Sequence, residues 1–272
     1  MPLDQVLEGA HDRVLVPSLA FLLRHSSTGQ TIVFDLGLLR DIHQYPPAVV
    51  EDIKQYFLPV NVPRTVSESL QEGGLDPAAV DYVIYSHLHF DHIGDTKPFT
   101  KATFIVGEGG FCPPGYPHDQ HAYVASDLLP EDRTKFASRN EWSPLGPFPL
   151  STDMLGDGSV YIIDAPGHCP GHLNLLVRTS PDGAWLLLAG DTVHDRRLFT
   201  GEGKMAVERI SNGGTAGLMH DDKDFAQLHI KRVKEFAEGY KVKVIFAHDK
   251  EWFAANRGGS AFWPGQFDPV VE

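Results

Sequence analysis

The sequence predicts an α/β chain, and three observations carry the prediction. Short apolar runs with β-propensity or period-2 character recur along its whole length, among them Leu19 to Arg24, Thr31 to Leu36, Val80 to Tyr85 and Leu173 to Arg178. Stretches with capping residues and helical spacing fall between them, the clearest at 225 to 237. The main His and Asp motifs fall where a predicted strand ends. A βαβ-rich chain that presents its candidate ligands at strand termini is building one site between sheets. The two halves each run from strands to a helix, and no internal repeat is evident.

Composition narrows the classes. With 272 residues and 42% hydrophobic content, the chain can bury a core without staples; we read 1–272 as a single domain with a long loop insertion near 107–150. The net charge of −13 and the lack of a basic stripe disfavour a nucleic-acid partner. No uncharged apolar stretch approaches the ~18 residues of a membrane span, and the N-terminus lacks the basic and apolar regions of a signal peptide. The cysteines are Cys112 and Cys169, which suits a reducing, cytoplasmic setting.

In order along the chain, Leu19 to Arg24 and Thr31 to Leu36 read as two strands joined by the turn Ser26-Ser27-Thr28-Gly29-Gln30. The second ends in Asp35-Leu36-Gly37. Residues 38–63 read as irregular and Pro-rich, with apolar residues from Ile53 to Leu58 that could line a substrate or simply pack the loop. Thr65 to Glu72 reads as a helix closed by Gly73-Gly74, and Asp76-Pro77 as an N-cap with proline at the first helical position. Val80 to Tyr85 is a strand that delivers Ser86-His87-Leu88-His89-Phe90-Asp91-His92. Four potential metal ligands fall within six residues there. A loop can curl them around one point, whereas a straight strand sends alternate side chains to opposite faces. The helix-borne H-E-x-x-H pattern is absent.

Thr103 to Val106 is another strand. The Gly, Pro and aromatic residues of 107–150 read as a long lid or binding loop, with His118, Asp119 and His121 on a solvated face. Cys112-Pro113-Pro114 has no metal-site spacing. Val160 to Asp164 is a strand leading into Pro166-Gly167-His168-Cys169-Pro170-Gly171-His172. Leu173 to Arg178 and Trp185 to Ala189 read as a hairpin around Pro181-Asp182-Gly183, ending in Gly190-Asp191-Thr192. Phe225, Leu228, Val233, Phe236 and Ala237 mark a helical face, and Val242 to Ala247 is a last strand delivering His248-Asp249.

The motif H-x-H-x-D-H, followed in order by the doubled Pro-Gly-His, Gly-Asp and a final His at a strand end, resembles the metallo-β-lactamase superfamily. The resemblance covers nearly the whole chain and implies a four-layer αβ/βα sandwich. It implies seven ligands: His87, His89 and His168 on one metal, Asp91, His92 and His248 on a second, and Asp191 bridging both. It also implies that Asp35 supports the metal loop. His172 reads as a hydrogen-bonding support, and Cys169 as a small buried filler rather than a thiolate ligand.

Imidazole and carboxylate without thiolate suit two Zn²⁺ per chain, with Fe or Mn as alternatives. Two metals ~3.5–4 Å apart can share a hydroxide that attacks a carbonyl at neutral pH. Asp91 is then a proton shuttle to the leaving atom. The motifs are most similar to the N-acyl-homoserine-lactone lactonase branch, with one departure: that branch commonly has tyrosine three residues after the bridging aspartate, and this chain has His194. A histidine there can polarise a carbonyl or protonate a leaving nitrogen. The expected activity is therefore hydrolysis of a small cyclic ester or a cyclic amide or carbamate, with Phe90, Tyr123 and Trp142 as candidate substrate-binding residues. A thioester hydrolase of the glyoxalase II type fits less well, because only 24 residues follow His248. A mononuclear-iron persulfide dioxygenase and a non-catalytic metal-binding module are the remaining alternatives. Oligomeric state is open.

Overall fold

The computed structural model describes residues 1–111, 115–181, 183–206 and 219–267; Cys112-Pro113-Pro114 and the turn residue Asp182 lie outside them. The chain divides into two compact units. Met1–Pro17 and Ser138–Ala255 belong to one, Ser18–Ala137 and Asn256–Phe267 to the other. Each contains one sheet and is described by itself.

The five-strand unit holds β1 (Phe21–Arg24), β2 (Thr31–Phe34), β3 (Tyr82–Ile84), β4 (Thr103–Gly107) and β5 (Thr134–Ala137), side by side in chain order. The β1–β2 pair is antiparallel and the rest are parallel. Its helices are α1 (Pro47–Asp52), α2 (Val66–Glu72) and α3 (Phe90–Ile93). Thr65 caps α2 in the reciprocal box with Glu68, and Asp76 accepts the Ala78 N–H ahead of a short 3-10 turn, Pro77–Ala79. The core gathers Val33, Val83, Phe104, Phe99, Ile53 and Leu70. Burying a side chain such as Phe104 contributes about 1.5–3 kcal/mol. The Trp263 indole N–H donates to the Leu70 carbonyl at 3.2 Å, and the Arg24 guanidinium lies 5.6 Å from the Trp263 ring.

The six-strand unit holds β6 (Ser143–Leu145), β7 (Phe148–Asp153), β8 (Val160–Asp164), β9 (Leu173–Arg178), β10 (Trp185–Leu188) and β11 (Lys243–Ile245), in the spatial order β11-β10-β9-β8-β7-β6. Only β10–β11 is parallel. The helices are α4 (Arg196–Thr200), α5 (Lys223–Tyr240) and α6 (Lys250–Asn256), which ends at the unit boundary. Phe148, Leu176, Leu187, Val233 and Phe236 form its core, joined by Leu3, Val6 and Leu7 from the N-terminus.

Three sequence expectations need correcting. Residues 38–63 are not irregular: they contain a 3-10 turn (Ile42–Gln44), α1 and a π-turn (Ile53–Phe57). Pro47 sits at the start of α1, where its missing N–H costs nothing, and Val49, Val50 and Ile53 bury one face. The segment 107–150 is not one long loop either, since it carries β5, β6 and the start of β7. Short edge strands, one with Pro144 inside it, lack the alternation that a sequence reading looks for. In α5 the buried stripe is Ala226, His229, Ile230, Val233 and Phe236, while Phe225 and Leu228 are 53% and 42% exposed. Among the described residues, no helix is long and apolar enough to cross a membrane.

Candidate metal-ligating residues

In the five-strand unit, the first motif leaves β3 as a loop. Its second half is not loop but the single turn α3, so Asp91 and His92 are helical while His87 and His89 precede the turn. A helix this short leaves its final carbonyls without internal partners, and the unit supplies one donor to each. Phe90 O accepts from the Tyr45 hydroxyl at 2.6 Å, Asp91 O from the Ser18 hydroxyl, His92 O from the Leu36 N–H at 2.8 Å, and Ile93 O from the Tyr85 hydroxyl at 3.0 Å. Tyr45 also accepts the Leu39 N–H at 2.6 Å, and burial raises its phenol pKa. Gly94 turns the chain out of α3 at φ +49°, and a Cβ there would meet the Leu36 carbonyl oxygen at 2.4 Å.

Asp35 orients the ring nitrogens. It adopts φ +62° at the end of β2, a region Asp tolerates better than most residues. Its carboxylate accepts the Ser86 N–H at 2.7 Å, the Ser86 hydroxyl at 2.8 Å and His92 Nδ1–H at 2.9 Å. Burial is the largest influence on this carboxyl and raises its pKa, with His92 opposing. His87 Nδ1 lies 3.0 Å from the Ser86 hydroxyl. With Nδ1 engaged, both rings present Nε2. His87 Nε2 lies 2.9 Å from His89 Nδ1, and His92 Nε2 lies 3.8 Å from Asp91 Oδ1.

In the six-strand unit, the buried Asp191 is met by three imidazoles. Its Oδ2 lies 3.5 Å from His168 Nε2 and 3.0 Å from His194 Nε2, and its Oδ1 lies 3.3 Å from His248 Nε2. Backbone carbonyls fix two of these rings. His168 Nδ1–H donates to Met219 O and His248 Nδ1–H to Pro17 O, each at 2.7 Å. A carbonyl can only accept, so the proton sits on Nδ1 and the Nε2 lone pair stays available. His172 is not arranged as a ligand. It donates through Nδ1 to Ala165 O at 2.9 Å and accepts the Asp191 N–H on Nε2 at 3.0 Å, which holds the Asp191 backbone. The Cys169 thiol is pushed up by burial, which opposes a thiolate and fits a small filler.

These donors fit a divalent ion. Bonds of about 2.0–2.1 Å to imidazole or carboxylate set neighbouring donors roughly 3–3.5 Å apart, and the contacts of Asp191 span 3.0 to 3.5 Å.

Several contributors have no sequence motif. Asn174 donates to Ala189 O at 2.8 Å and to the Thr192 hydroxyl at 3.1 Å, and its Oδ1 accepts from His229 Nε2 at 2.7 Å, bracing the turn that carries Asp191. Burial lowers the His229 pKa to about 3. His220 is buried, with ring centroids 5.4 Å from His168 and 5.3 Å from His194; burial, then His194, lowers its pKa to about 3. Asp195 caps α4 and binds Arg197 at 2.8 Å and Lys250 at 3.2 Å. Asp249 pairs with Arg196 at 3.0 Å and accepts the Trp252 N–H at 2.9 Å in the first turn of α6.

Of the candidate substrate residues, Phe90 packs on Tyr45 and Phe57 with ring centroids 6.0 and 5.2 Å away. Tyr123 is 62% exposed, and Trp142 is half-buried ahead of β6. His118, Asp119 and His121 are exposed, as expected of a solvated face.

Residues 13–248 match the Metallo-beta-lactamase superfamily. Among curated proteins, the chain is 35% identical over 191 residues to the γ-lactamase FDB1 of Fusarium pseudograminearum, covering 65% of this chain and 45% of that protein. It is 27% identical over 257 residues to the N-acyl homoserine lactonase AttM of Rhizobium radiobacter, covering 94% and 89%. The chain thus spans about half the length of the first curated relatives it matches. Among solved structures, a substituted AiiA from B. thuringiensis with N-decanoyl-L-homoserine bound superposes with a TM-score of 0.69 at 21% identity, over 97% of this chain and 93% of that one. That likeness is one of fold.

Proposed function

The chain belongs to the metallo-β-lactamase superfamily, and from this we propose that it is a dinuclear zinc hydrolase that opens a small cyclic ester or cyclic amide. The observation that carries the reading is Asp191, a buried carboxylate with both oxygens within 3.5 Å of imidazole Nε2 atoms, two of them on rings whose tautomer a carbonyl fixes. The ligands we assign are His87, His89, Asp91, His92, His168, Asp191 and His248. The related proteins named γ-lactamase and N-acyl homoserine lactonase support a cyclic substrate with an attacked carbonyl.

The bound metals would lower the pKa of a water to about 7 and polarise the carbonyl. The chain's own residues do the rest. Asp35 and the carbonyls of Met219 and Pro17 hold the ligand rings in the required tautomers. Asp91, half-buried at the start of α3, carries a proton to the leaving atom. An alkoxide leaves readily, whereas an amide nitrogen needs that proton, and His194 is a second group that can give it. The net charge of −13 supports a small-molecule substrate over nucleic acid. The low cysteine content supports a reducing, cytoplasmic setting.

The test is metal analysis of the purified chain together with a panel of γ-lactones, acyl-homoserine lactones, γ-lactams and cyclic carbamates, with products separated by chromatography. Close to two zinc ions per chain and ring opening of a panel member is the expected result. One iron per chain, no ring opening and oxygen uptake with a persulfide would replace the proposal with the dioxygenase reading.

A further inference from the structure

Asp191 has more donors around it than the resemblance calls for. His168 Nε2, one Asp191 oxygen and a His194 ring nitrogen lie within 4.8 Å of one another, and all three residues are buried in the six-strand unit. Asp191 Oδ2 is 3.5 Å from His168 Nε2 and 3.0 Å from His194 Nε2. These are separations that neighbouring donors on one ion adopt. The superfamily resemblance gives His168 and Asp191 to a metal and leaves residue 194 to the substrate. In this chain residue 194 is an imidazole, and its nitrogen faces the same carboxylate oxygen as His168.

We propose that His194 Nε2 is a ligand of the metal that His168 and Asp191 hold, so that the six-strand unit supplies three of the ligands of that Zn²⁺ or other divalent first-row ion. The inference rests on the metal-dependent reading above. Imidazoles with a carboxylate suit Zn²⁺ and also Fe²⁺.

His194 differs from the other ligands in how it is held. His168 and His248 each donate Nδ1–H to a carbonyl, whereas His194 Nδ1 is buried and meets no partner among the described residues. Its ring is kept in place by packing against His168, His220 and His248, with centroids 5.0, 5.3 and 5.4 Å away. Lacking that anchor, His194 would be the most readily released of the ligands, and once released its imidazole could serve the leaving atom.

The experiment is Co²⁺ titration of the full chain, read by visible absorbance and by bound metal per chain. In the Asp91→Ala/His92→Ala protein, which spares every ligand assigned to the His168 metal, one Co²⁺ is expected to remain bound. Adding His194→Phe should weaken that binding at least tenfold and change the spectrum. If affinity and spectrum are the same with Phe or His at 194, the proposal is overturned. Should the double variant not fold, X-ray absorption of the zinc-loaded single variant His194→Phe carries the test: a fall in the average imidazole count is expected, and an unchanged count overturns the assignment. A wild-type chain that binds no metal would refute the metal-dependent reading itself, whereas metal binding indifferent to residue 194 refutes only this inference.

Discussion

Asp35→Asn isolates the hydrogen bonds that set the His92 tautomer. Asn tolerates φ +62° at least as well as Asp, so the backbone at this position is undisturbed. The amide's one oxygen can keep the bond from the Ser86 N–H. Its NH₂ then occupies the place of Oδ2, where the Ser86 hydroxyl at 2.8 Å and His92 Nδ1 at 2.9 Å now donate. The hydroxyl can rotate and accept. The imidazole either loses its acceptor or moves its proton to Nε2, the nitrogen assigned to metal. One bond to a charged acceptor in a buried site is lost, about 1.5–3 kcal/mol, and metal affinity should fall roughly 10- to 100-fold, as for other groups that orient a ligand. Urea unfolding in the presence of chelator measures the first effect, and zinc competition against a chromophoric chelator measures the second. A variant with unchanged midpoint and unchanged affinity would refute the argument that Asp35 fixes the ring.

Three further outcomes follow from other contacts. Gly167→Ala places a Cβ 2.2 Å from the Ala226 backbone N at a φ of +121°; overpacking and backbone strain should together cost about 2–5 kcal/mol, against about 1 kcal/mol for the control Gly201→Ala, which has φ +87° and open space. Equal costs in urea unfolding would show that the close approach to α5 is unimportant. Tyr45→Phe leaves the Phe90 carbonyl and the Leu39 N–H unsatisfied, for an expected loss of about 2–4 kcal/mol; a loss within error of zero would show that the hydroxyl does not hold α3. Asp195 has its folded pKa lowered from 3.8 to about 2 by the Arg197 and Lys250 contacts acting against burial. A depressed carboxylate stabilises the fold above its unfolded pKa and loses that contribution as pH falls. Asp195→Asn should therefore be less stable than wild type at neutral pH, with the gap closing between about pH 4 and 2; a gap constant across that window would sink the assignment.

The candidate ligand motifs stood out in the sequence because histidine and aspartate clusters at strand ends are chemically conspicuous. Asp35 was legible as a turn at a strand end, with its supporting role implied by the resemblance. Strands with β-branched or aliphatic runs, such as β2, β8 and β9, were also legible, because local pattern and burial agree there. What escaped depends on distant partners. Nothing next to Asn174 in sequence announces that it joins Ala189, Thr192 and His229. His229 was hidden because a buried histidine took the place where Leu228 was expected, shifting the inward face of α5 by one residue. His220 sits in no motif, and its burial beside two other imidazoles is a tertiary fact. α1 was obscured by the two prolines that begin it, which read as irregularity when counted and as a helix start when placed.

The bond from His248 to the Pro17 carbonyl joins residues 231 positions apart. The six-strand unit is built from Met1–Pro17 and Ser138–Ala255, separated in sequence by Ser18–Ala137 of the other unit, so during synthesis its first segment emerges long before the strands it packs on. The five-strand unit can gather most of its residues while that segment waits. The last ring to acquire its proper proton placement is then the last candidate ligand to be translated, and the acceptor that fixes it was made 231 residues earlier. Removing the segment that carries Pro17 would take away that acceptor while leaving every candidate ligand in the sequence, which ties a segment with no candidate ligand of its own to the proposed metal chemistry.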